Sequence, residues 1–481
     1  MRYPRWIDGV ALVAALWCGL ASADSTLIVN ARIVDGTGAP AATGAVRIDG
    51  EKIVAAGTLK AEPGERVIDA RGLILAPGFI DTHSHHDSGL FESRDALAVV
   101  SQGVTTIVAG NDGSMSYPVR ELFAHQEKTP AAINVATYVG HGDLRAEVMG
   151  KDFRRVATPA EVARMRALLT DGMEAGALGL STGLEYDPGI FSATGEVIEL
   201  AKEAARFGGR YISHVRSEDR YFWAAIDEII RIGREAKLPV QVSHMKLAMV
   251  DWWGQSKRLL DILDKARAEG VDVTGDIYPY EAWHSSLEVL FPERDFTNRT
   301  SAEFALERVS PPDGLVLSRY SPEPALEGLS IAEIAKRKGM DPPATLMDLI
   351  ARSQSPDADV GVIGTSMKPE DVAALIAWPH ANICSDGALA GRHPRGTGAF
   401  TKVLRVYVRE QKLLTLEQAI HKMTGLSASH TGLTDRGVIR AGAYADLVLF
   451  DPETVADRST FEHPEALSVG IQTVWLNGQA V

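Results

Sequence analysis

The sequence predicts an α/β protein: a (β/α)8 barrel with a small β-sandwich domain built from both termini. Short β-branched runs alternate with amphipathic helical stretches through the middle of the chain, which implies a parallel sheet. The runs number eight, which favours a closed barrel over an open doubly wound sheet. Both ends of the chain instead carry short strands separated by turn residues. With 481 residues, 45% hydrophobic and 23% charged, the chain has ample apolar material for such a core and is unlike a disordered segment.

Residues 1–23 read as a secretory signal. Arg2 and Arg5 precede an apolar run over 9–20, and Ala21-Ser22-Ala23 fits an A-x-A cleavage site. The run is shorter than the roughly 20 residues that span a bilayer, so a secreted or periplasmic protein with no stable membrane span after cleavage is expected. The small β domain is expected over 24–78 and 433–481, from strand-like pieces such as 26–35, 45–50, 445–451 and 470–478. Barrel strands are expected at 73–79, 105–109, 134–139, 178–180, 210–213, 240–243, 273–277 and 381–385. Helices at 221–236 and 257–268 fall between them, and the capping box Thr158-Pro159-Ala160-Glu161 opens another. A run at 360–363 is ambiguous between a ninth strand and an extra element. The stretch 287–355 does not fit one strand–helix unit; its capping boxes, Thr300 to Glu303 and Ser330 to Glu333, mark a helical insertion on the rim before the last strand. The barrel with its insertion would thus occupy 79–432, longer than the roughly 250 residues of a plain barrel.

The formal charge of −14, with no block of five basic residues, argues against a nucleic-acid partner. Only Cys18 and Cys384 occur, and Cys18 lies in the leader. A disulfide framework, a cysteine-rich zinc site and a dithiol redox motif are excluded; Cys384 is expected to pack inside the barrel.

The strand ends carry polar groups in a pattern. Strand one runs into Asp81, His83 and His85, strand two into Asn111-Asp112-Gly113, strand three into His141 and strand five into His214. Strand six leads to His244 and Lys246, strand seven to Asp276 and Tyr278, and strand eight to Asp386. In a barrel these ends share the face where active sites lie. His83 and His85, two apart on an extended segment, project to the same side. Imidazoles with carboxylates are donors that Zn2+ accepts. His141 fits either a structural hydrogen bond or a substrate contact. Asp81 is expected behind the ligands, and His86, pointing opposite to His85, toward solvent or a loop.

Gly78-Phe79-Ile80-Asp81-Thr82-His83-Ser84-His85, His214, His244 and Ser385-Asp386-Gly387 resemble the metal-site signature of the amidohydrolase superfamily. More narrowly, Val139-Gly140-His141-Gly142, the segment from Leu180 to Gly189, Gln241 to Lys246, Asp276 to Tyr280, His393-Pro394-Arg395 and Met423 to Leu426 followed by Asp435-Arg436-Gly437 resemble the N-acyl-D-amino-acid deacylase (D-aminoacylase) family over nearly the whole mature chain. The resemblance implies one or two zinc ions and removal of the acyl group from N-acyl-D-amino acids by a metal-bound hydroxide, with Asp386 as general base and acid. It implies a tighter site at His214, His244 and Asp112, and a second at His83, His85 and Asp386. Arg395 would hold the substrate carboxylate, helped by Lys246 and Tyr278 or Tyr280, with Tyr186 as a further contact. Trp252, Trp253, Trp283 and His284 would line an apolar pocket or cover the barrel edge.

One departure stands out. Family members carry a zinc-ligating Cys after strand two where this chain has Asp112, which either binds metal through its carboxylate or caps the turn before Gly113. Strand four, Gly179-Leu180-Ser181-Thr182-Gly183, ends without a lysine, against a carboxylated-lysine bridge. The rival readings are a cyclic-amide hydrolase or dipeptidase of the same superfamily and a catalytically silent periplasmic binding protein.

Overall fold

Eight parallel strands follow one another around the barrel: β1 (Phe79–Asp81), β2 (Val104–Ala109), β3 (Asn134–Thr137, continued by Val139–Gly140), β4 (Gly179–Gly183), β5 (Arg210–His214), β6 (Val240–Val242), β7 (Val273–Ile277) and β8 (Ala381–Ile383). The computed structural model describes residues 25–355 and 357–481, so the signal expected at 1–23 lies outside the described residues. Each strand pairs in parallel with the next, from β1–β2 through β7–β8. The ring closes just beyond the strand ends, through a parallel bridge between Ser84 and Gly387. There the Asp386 N–H donates to the His83 carbonyl and the His85 N–H to the Gly387 carbonyl, both at 2.8 Å.

The strands are buried on both faces, as β2 shows with six of six residues buried in the run VTTIVA; continuous β-branched runs are what a doubly covered parallel sheet requires. Helices cover the outside. Phe222–Ala236 lays Phe222, Ile226, Ile229, Ile230 and Gly233 inward along one stripe, and Pro159–Glu174 starts at the expected capping box, closed reciprocally by Thr158 and Glu161.

Three expectations change. The run 73–79 divides at Gly78: Ile74–Pro77 belongs to the small β domain and only Phe79–Asp81 to the barrel. A Cβ at Gly78 would collide with the Thr105 side chain, so glycine lets the chain pass from one sheet to the other. The insertion is not purely helical. It holds helices Arg299–Phe304, Ile331–Lys338 and Pro342–Arg352, and also a three-stranded antiparallel sheet of Ala282–Ser285, Leu315–Tyr320 and Val360–Thr365. The run 360–363 is the middle strand of that sheet, around a core of its own that includes Leu306, Leu317, Ile334, Leu346 and Val362. Finally, the Ser330 capping box forms, but the one expected at Thr300 does not; Asn298 is the N-cap and accepts from Thr300 and Ser301 N–H.

The small β domain is one branched eight-stranded sheet drawn from both ends of the described chain. Ile74–Pro77 pairs antiparallel with Leu447–Phe450, joining the two halves, over a core that includes Ile28, Val46, Leu75, Leu447 and Trp475. No helix among the described residues is long and apolar enough to cross a membrane.

The barrel seam is braced from outside by His430, whose Nδ1 meets Asn382 Oδ1 at 2.7 Å; Asn382 Nδ2 in turn donates to Thr82 Oγ1 at 2.6 Å. Burial, with Arg210 and Arg267 nearby, pushes the His430 imidazole down to about 3 from its usual 6.5. Between those values the unfolded chain binds a proton that the folded protein refuses, so this contribution to stability is whole above about 6.5 and is lost as the pH falls toward 3. His430→Gln, which keeps an N–H for Asn382, is expected to flatten the decline of the unfolding midpoint between pH 6.5 and 4 in chemical denaturation. An unchanged decline would contradict the assignment.

Candidate metal centre

His83 and His85 follow β1, Asp112 sits in the turn after β2, His214 ends β5, His244 follows β6 and Asp386 follows β8. Asp112, His244 and Asp386 hold positive φ angles of 54°, 32° and 50°. Such conformations cost non-glycine residues of order 1–3 kcal/mol each and persist only where the surroundings enforce them. The enforced result is convergence. Asp112 Oδ2 lies 3.3 Å from both His83 Nε2 and His85 Nε2, and its Oδ1 lies 3.5 Å from His244 Nε2. Asp386 Oδ1 is 3.6 Å from His83 Nε2 and 3.4 Å from His85 Nε2, while His214 Nδ1 is 3.1 Å from His244 Nε2. Three overlapping sets of donors result, His83, His85, Asp112 and Asp386, then Asp112, His214 and His244, then Glu185, His214 and Glu218, each with its donor atoms within 4.8 Å of one another. Asp112 belongs to the first two. Its carboxylate does not cap the turn: Oδ1 is buried without a hydrogen-bond partner and aimed at the histidines.

Outer nitrogens of the histidines meet carboxylates. His214 Nε2 is 2.9 Å from Glu185 Oε2, and His244 Nδ1 is 3.2 Å from Glu218 Oε1. Protons placed there leave His214 Nδ1 and His244 Nε2 with lone pairs toward the centre, the usual way a carboxylate fixes a ligating imidazole. Asp276 accepts from the His244 N–H at 2.6 Å and from Gln241 Nε2 at 2.6 Å, fixing the backbone after β6. Sequence reasoning missed Glu185 and Glu218. The available signals were the position of Glu185 just beyond β4 and the spacing of Glu218 four residues after His214.

Burial alone would raise the Asp386 carboxyl, but Arg395, then His244 and His83, hold it far below the usual carboxylate range. Burial likewise opposes ionisation of Asp112, and His83 and His244 overcome it. In the other direction, burial lowers the His85 imidazole, yet Asp112 and Asp386 push it up to about 9. The centre therefore keeps its carboxylates ionised and calls for positive charge among its imidazoles, a demand that a divalent cation meets in place of protons. Imidazole nitrogens, carboxylate oxygens and the orphaned Asp112 Oδ1 fit zinc.

A cavity of about 450 Å³ opens above the cluster and is also lined by Lys246, Tyr278, Arg395, Tyr186, Trp283 and His284. Arg395 Nη1 lies 2.7 Å from Asp386 Oδ2 without hydrogen-bond alignment, and its guanidinium stands 4.9 Å over the Tyr278 ring. The Tyr278 hydroxyl is buried and unpartnered. Lys246 Nζ bonds Glu218 Oε1 at 2.6 Å and lies 2.7 Å from His244 Nδ1, and Tyr186 OH is 3.2 Å from His214 Nδ1.

The remaining expected residues divide between the cavity and the packing around it. His141 does not line the cavity; its Nε2 meets Glu196 Oε1 at 2.8 Å, beside Arg145 on the same carboxylate, so the substrate contact gives way to a buried structural pairing. Tyr280 is also outside, with its hydroxyl 3.3 Å from the Pro394 carbonyl and its ring under Lys402. His86 is fully buried between Ser84 Oγ at 2.8 Å and the Gly396 carbonyl at 3.0 Å, out of solvent. Trp252 and Trp253 bond the carbonyls of Asp219 and Ser366 and leave the pocket to Trp283 and His284. Asp81 stands behind the ligands, accepting from the Ser385 N–H at 2.8 Å, and Cys384 Sγ is buried 3.2 Å from Asp276 Oδ1.

The amidohydrolase family profile matches residues 66–312 and 304–481. N-acyl-D-aspartate deacylase of Alcaligenes xylosoxydans xylosoxydans is 39% identical over 481 residues, covering 95% of this chain and 91% of its own. The structure of D-aminoacylase with its binuclear metal centre is similar with a TM-score of 0.86 at 36% identity, over 95% of this chain and 96% of that one. The N-acyl-D-glutamate deacylase of Bordetella bronchiseptica, complexed with zinc and a phosphonate mimic of the tetrahedral intermediate, gives 0.86 at 37% identity with the same coverage. On sequence, fold and the convergence of its donors, the chain belongs to the amidohydrolase family, among the N-acyl-D-amino-acid deacylases.

Proposed function

We propose that this protein is a zinc-dependent hydrolase that removes the acyl group from N-acyl-D-amino acids. The observation that carries the reading is the Asp112 carboxylate, shared between two sets of imidazoles at the floor of a cavity that also presents Arg395, Lys246 and Tyr278. His214, His244 and one oxygen of Asp112 would hold one ion; His83, His85, Asp386 and the other oxygen of Asp112 would hold a second. Activity of the named relatives toward N-acyl-D-amino acids supports the substrate class.

An unactivated amide resists hydrolysis because water is a weak nucleophile and nitrogen a poor leaving group. When bound, zinc polarises the carbonyl and lowers the pKa of water from about 15.7 to about 7. Asp386, kept ionised by Arg395, accepts a proton from the attacking water as the new C–O bond forms. The same carboxyl returns the proton to the nitrogen as the C–N bond breaks, leaving a carboxylate and a free amino acid. Arg395 offers a planar pair of N–H donors for the substrate α-carboxylate, with the unpartnered Tyr278 hydroxyl beside it. Lys246 acts through Glu218, fixing the carboxylate that meets His244 Nδ1 and so the imidazole that faces Asp112. Glu185 stands just beyond β4 and pairs with His214, a different chemistry from a bridging lysine.

Export to the periplasm is proposed on separate grounds, the charge, apolar run and cleavage pattern of residues 1–23. Intact mass of the protein recovered from a periplasmic extract should correspond to a chain beginning after Ala23; a full-length chain retained in the cytoplasm would contradict export.

Asp386→Asn is expected to lower kcat/KM for N-acetyl-D-amino acids by roughly 10²- to 10⁴-fold while metal analysis still finds zinc at the set containing His214 and His244. Full activity in this variant would refute the proton-transfer role. Arg395→Met is expected to raise KM by about 10- to 100-fold, the loss of a charge-assisted hydrogen-bonded pair. Turnover confined to hydantoins or dipeptides in a substrate panel would overturn the assignment.

A further inference from the structure

We infer that this site selects an uncharged, apolar amino-acid side chain and turns away substrates carrying a second carboxylate; the inference rests on the deacylase reading above. An N-acyl-D-amino acid presents its groups in a fixed order: α-carboxylate, the carbon bearing the side chain, nitrogen, the reacting carbonyl, and the acyl tail. With the carboxylate at Arg395 and Tyr278 and the carbonyl at the metal cluster, the side chain branches next to the carboxylate. The acyl tail points across the cavity.

The segments after β6 and β7 and the insertion contribute Ala248, Trp283, Val289, Leu290, Val309 and Val360 to the cavity lining, with Ser285 and Ser286 as uncharged polar neighbours. This surface is largely apolar, and a carboxylate buried against it gives up its hydration without gaining a counter-charge. The lining also holds Asp143, from the helix His141–Met149, and Asp187, beyond β4, which offer a second carboxylate repulsion and no partner. Among the described residues, Lys246 and Arg395 are the only lysine or arginine lining the cavity. Lys246 is bonded to Glu218, and Arg395 is needed for the α-carboxylate.

Neither Arg294 nor Arg319 lines the cavity. Arg294 spends its donors on Asp187 at 2.8 Å and on the carbonyls of Glu185, Glu288 and Phe291. His284 lines the cavity, but burial, with Arg395 and Arg319 nearby, pushes its imidazole down to about 3, so it is neutral. Arg319 pairs through Nη1 with Asp359 Oδ2 at 3.3 Å and keeps its Nε buried without a partner, outside the lining. The lining thus separates this chain from what identity to an aspartate deacylase alone would imply.

The test is a kcat/KM panel of the zinc-loaded, full mature chain with N-acetyl-D-leucine, N-acetyl-D-phenylalanine, N-acetyl-D-aspartate, N-acetyl-D-glutamate and N-acetyl-D-lysine. The leucine and phenylalanine substrates should exceed the aspartate and glutamate ones by about 100-fold or more, as expected when a charge is left unpaired in a buried site. Val360→Lys should narrow that ratio by at least about tenfold, and Arg319→Met should leave it unchanged. A preference for aspartate or glutamate that Arg319→Met abolishes would overturn the inference, as would a flat panel or a preference for lysine. Affinity for the free D-amino acids, read by inhibitor-type binding calorimetry, separates the two layers of the argument. Tighter binding of D-leucine than D-glutamate without turnover would sustain the selection and sink the hydrolysis; the reverse order would overturn the selection even if hydrolysis is confirmed.

Discussion

Closing the barrel and building its metal centre are one event in this protein. The backbone bonds that join β1 to β8, Asp386 to the His83 carbonyl and His85 to the Gly387 carbonyl, are made by the residues whose side chains enter the cluster. Asp81 tightens the same seam from behind by accepting the Ser385 N–H. A slip of one residue at this seam would turn His83 and His85 to the opposite face, because side chains alternate along an extended chain. Three further histidine and carboxylate groups then arrive from β2, β5 and β6, each at a strand end whose position the ring dictates.

That arrangement is electrostatically demanding. Asp112, Asp386, Glu185 and Glu218 are ionisable groups packed among imidazoles, and each buried charge costs several kcal/mol unless it is paired. Pairing is what the histidines, Lys246 and Arg395 provide in the protein alone. The positive φ angles at Asp112, His244 and Asp386 belong to the same bargain: local backbone preference is overridden so that donors point at one another. The Asp112 carboxylate offers two oxygens that face different imidazoles, Oδ2 toward His83 and His85 and Oδ1 toward His244. Asp112 is therefore the residue through which the two halves of the centre communicate.

Much of this was legible in the sequence because strand ends in a barrel are placed by topology. His83, His85, Asp112, His214, His244 and Asp386 could be grouped without knowing any side-chain torsion. What failed depended on packing instead. His141 follows a strand break at Tyr138 and turns to Glu196, and Tyr280 lies two residues past Tyr278 yet behind the cavity wall. The pattern cannot show on which side of the wall such a residue ends. The sheet in the insertion was hidden because its runs at 315–320 and 360–365 pair across some forty residues, and short apolar runs read equally as helix or strand. Glu185 and Glu218 escaped because their importance lies in the far nitrogen of a histidine, which only the folded structure reveals.

Anomalous diffraction at the zinc edge from crystals of the zinc-loaded protein would locate the ions directly. One peak should lie among Asp112, His214 and His244, with any second peak among His83, His85, Asp386 and the other oxygen of Asp112. Zinc held instead by Glu185, His214 and Glu218, or a centre in which Asp112 touches no metal, would contradict the shared-carboxylate account.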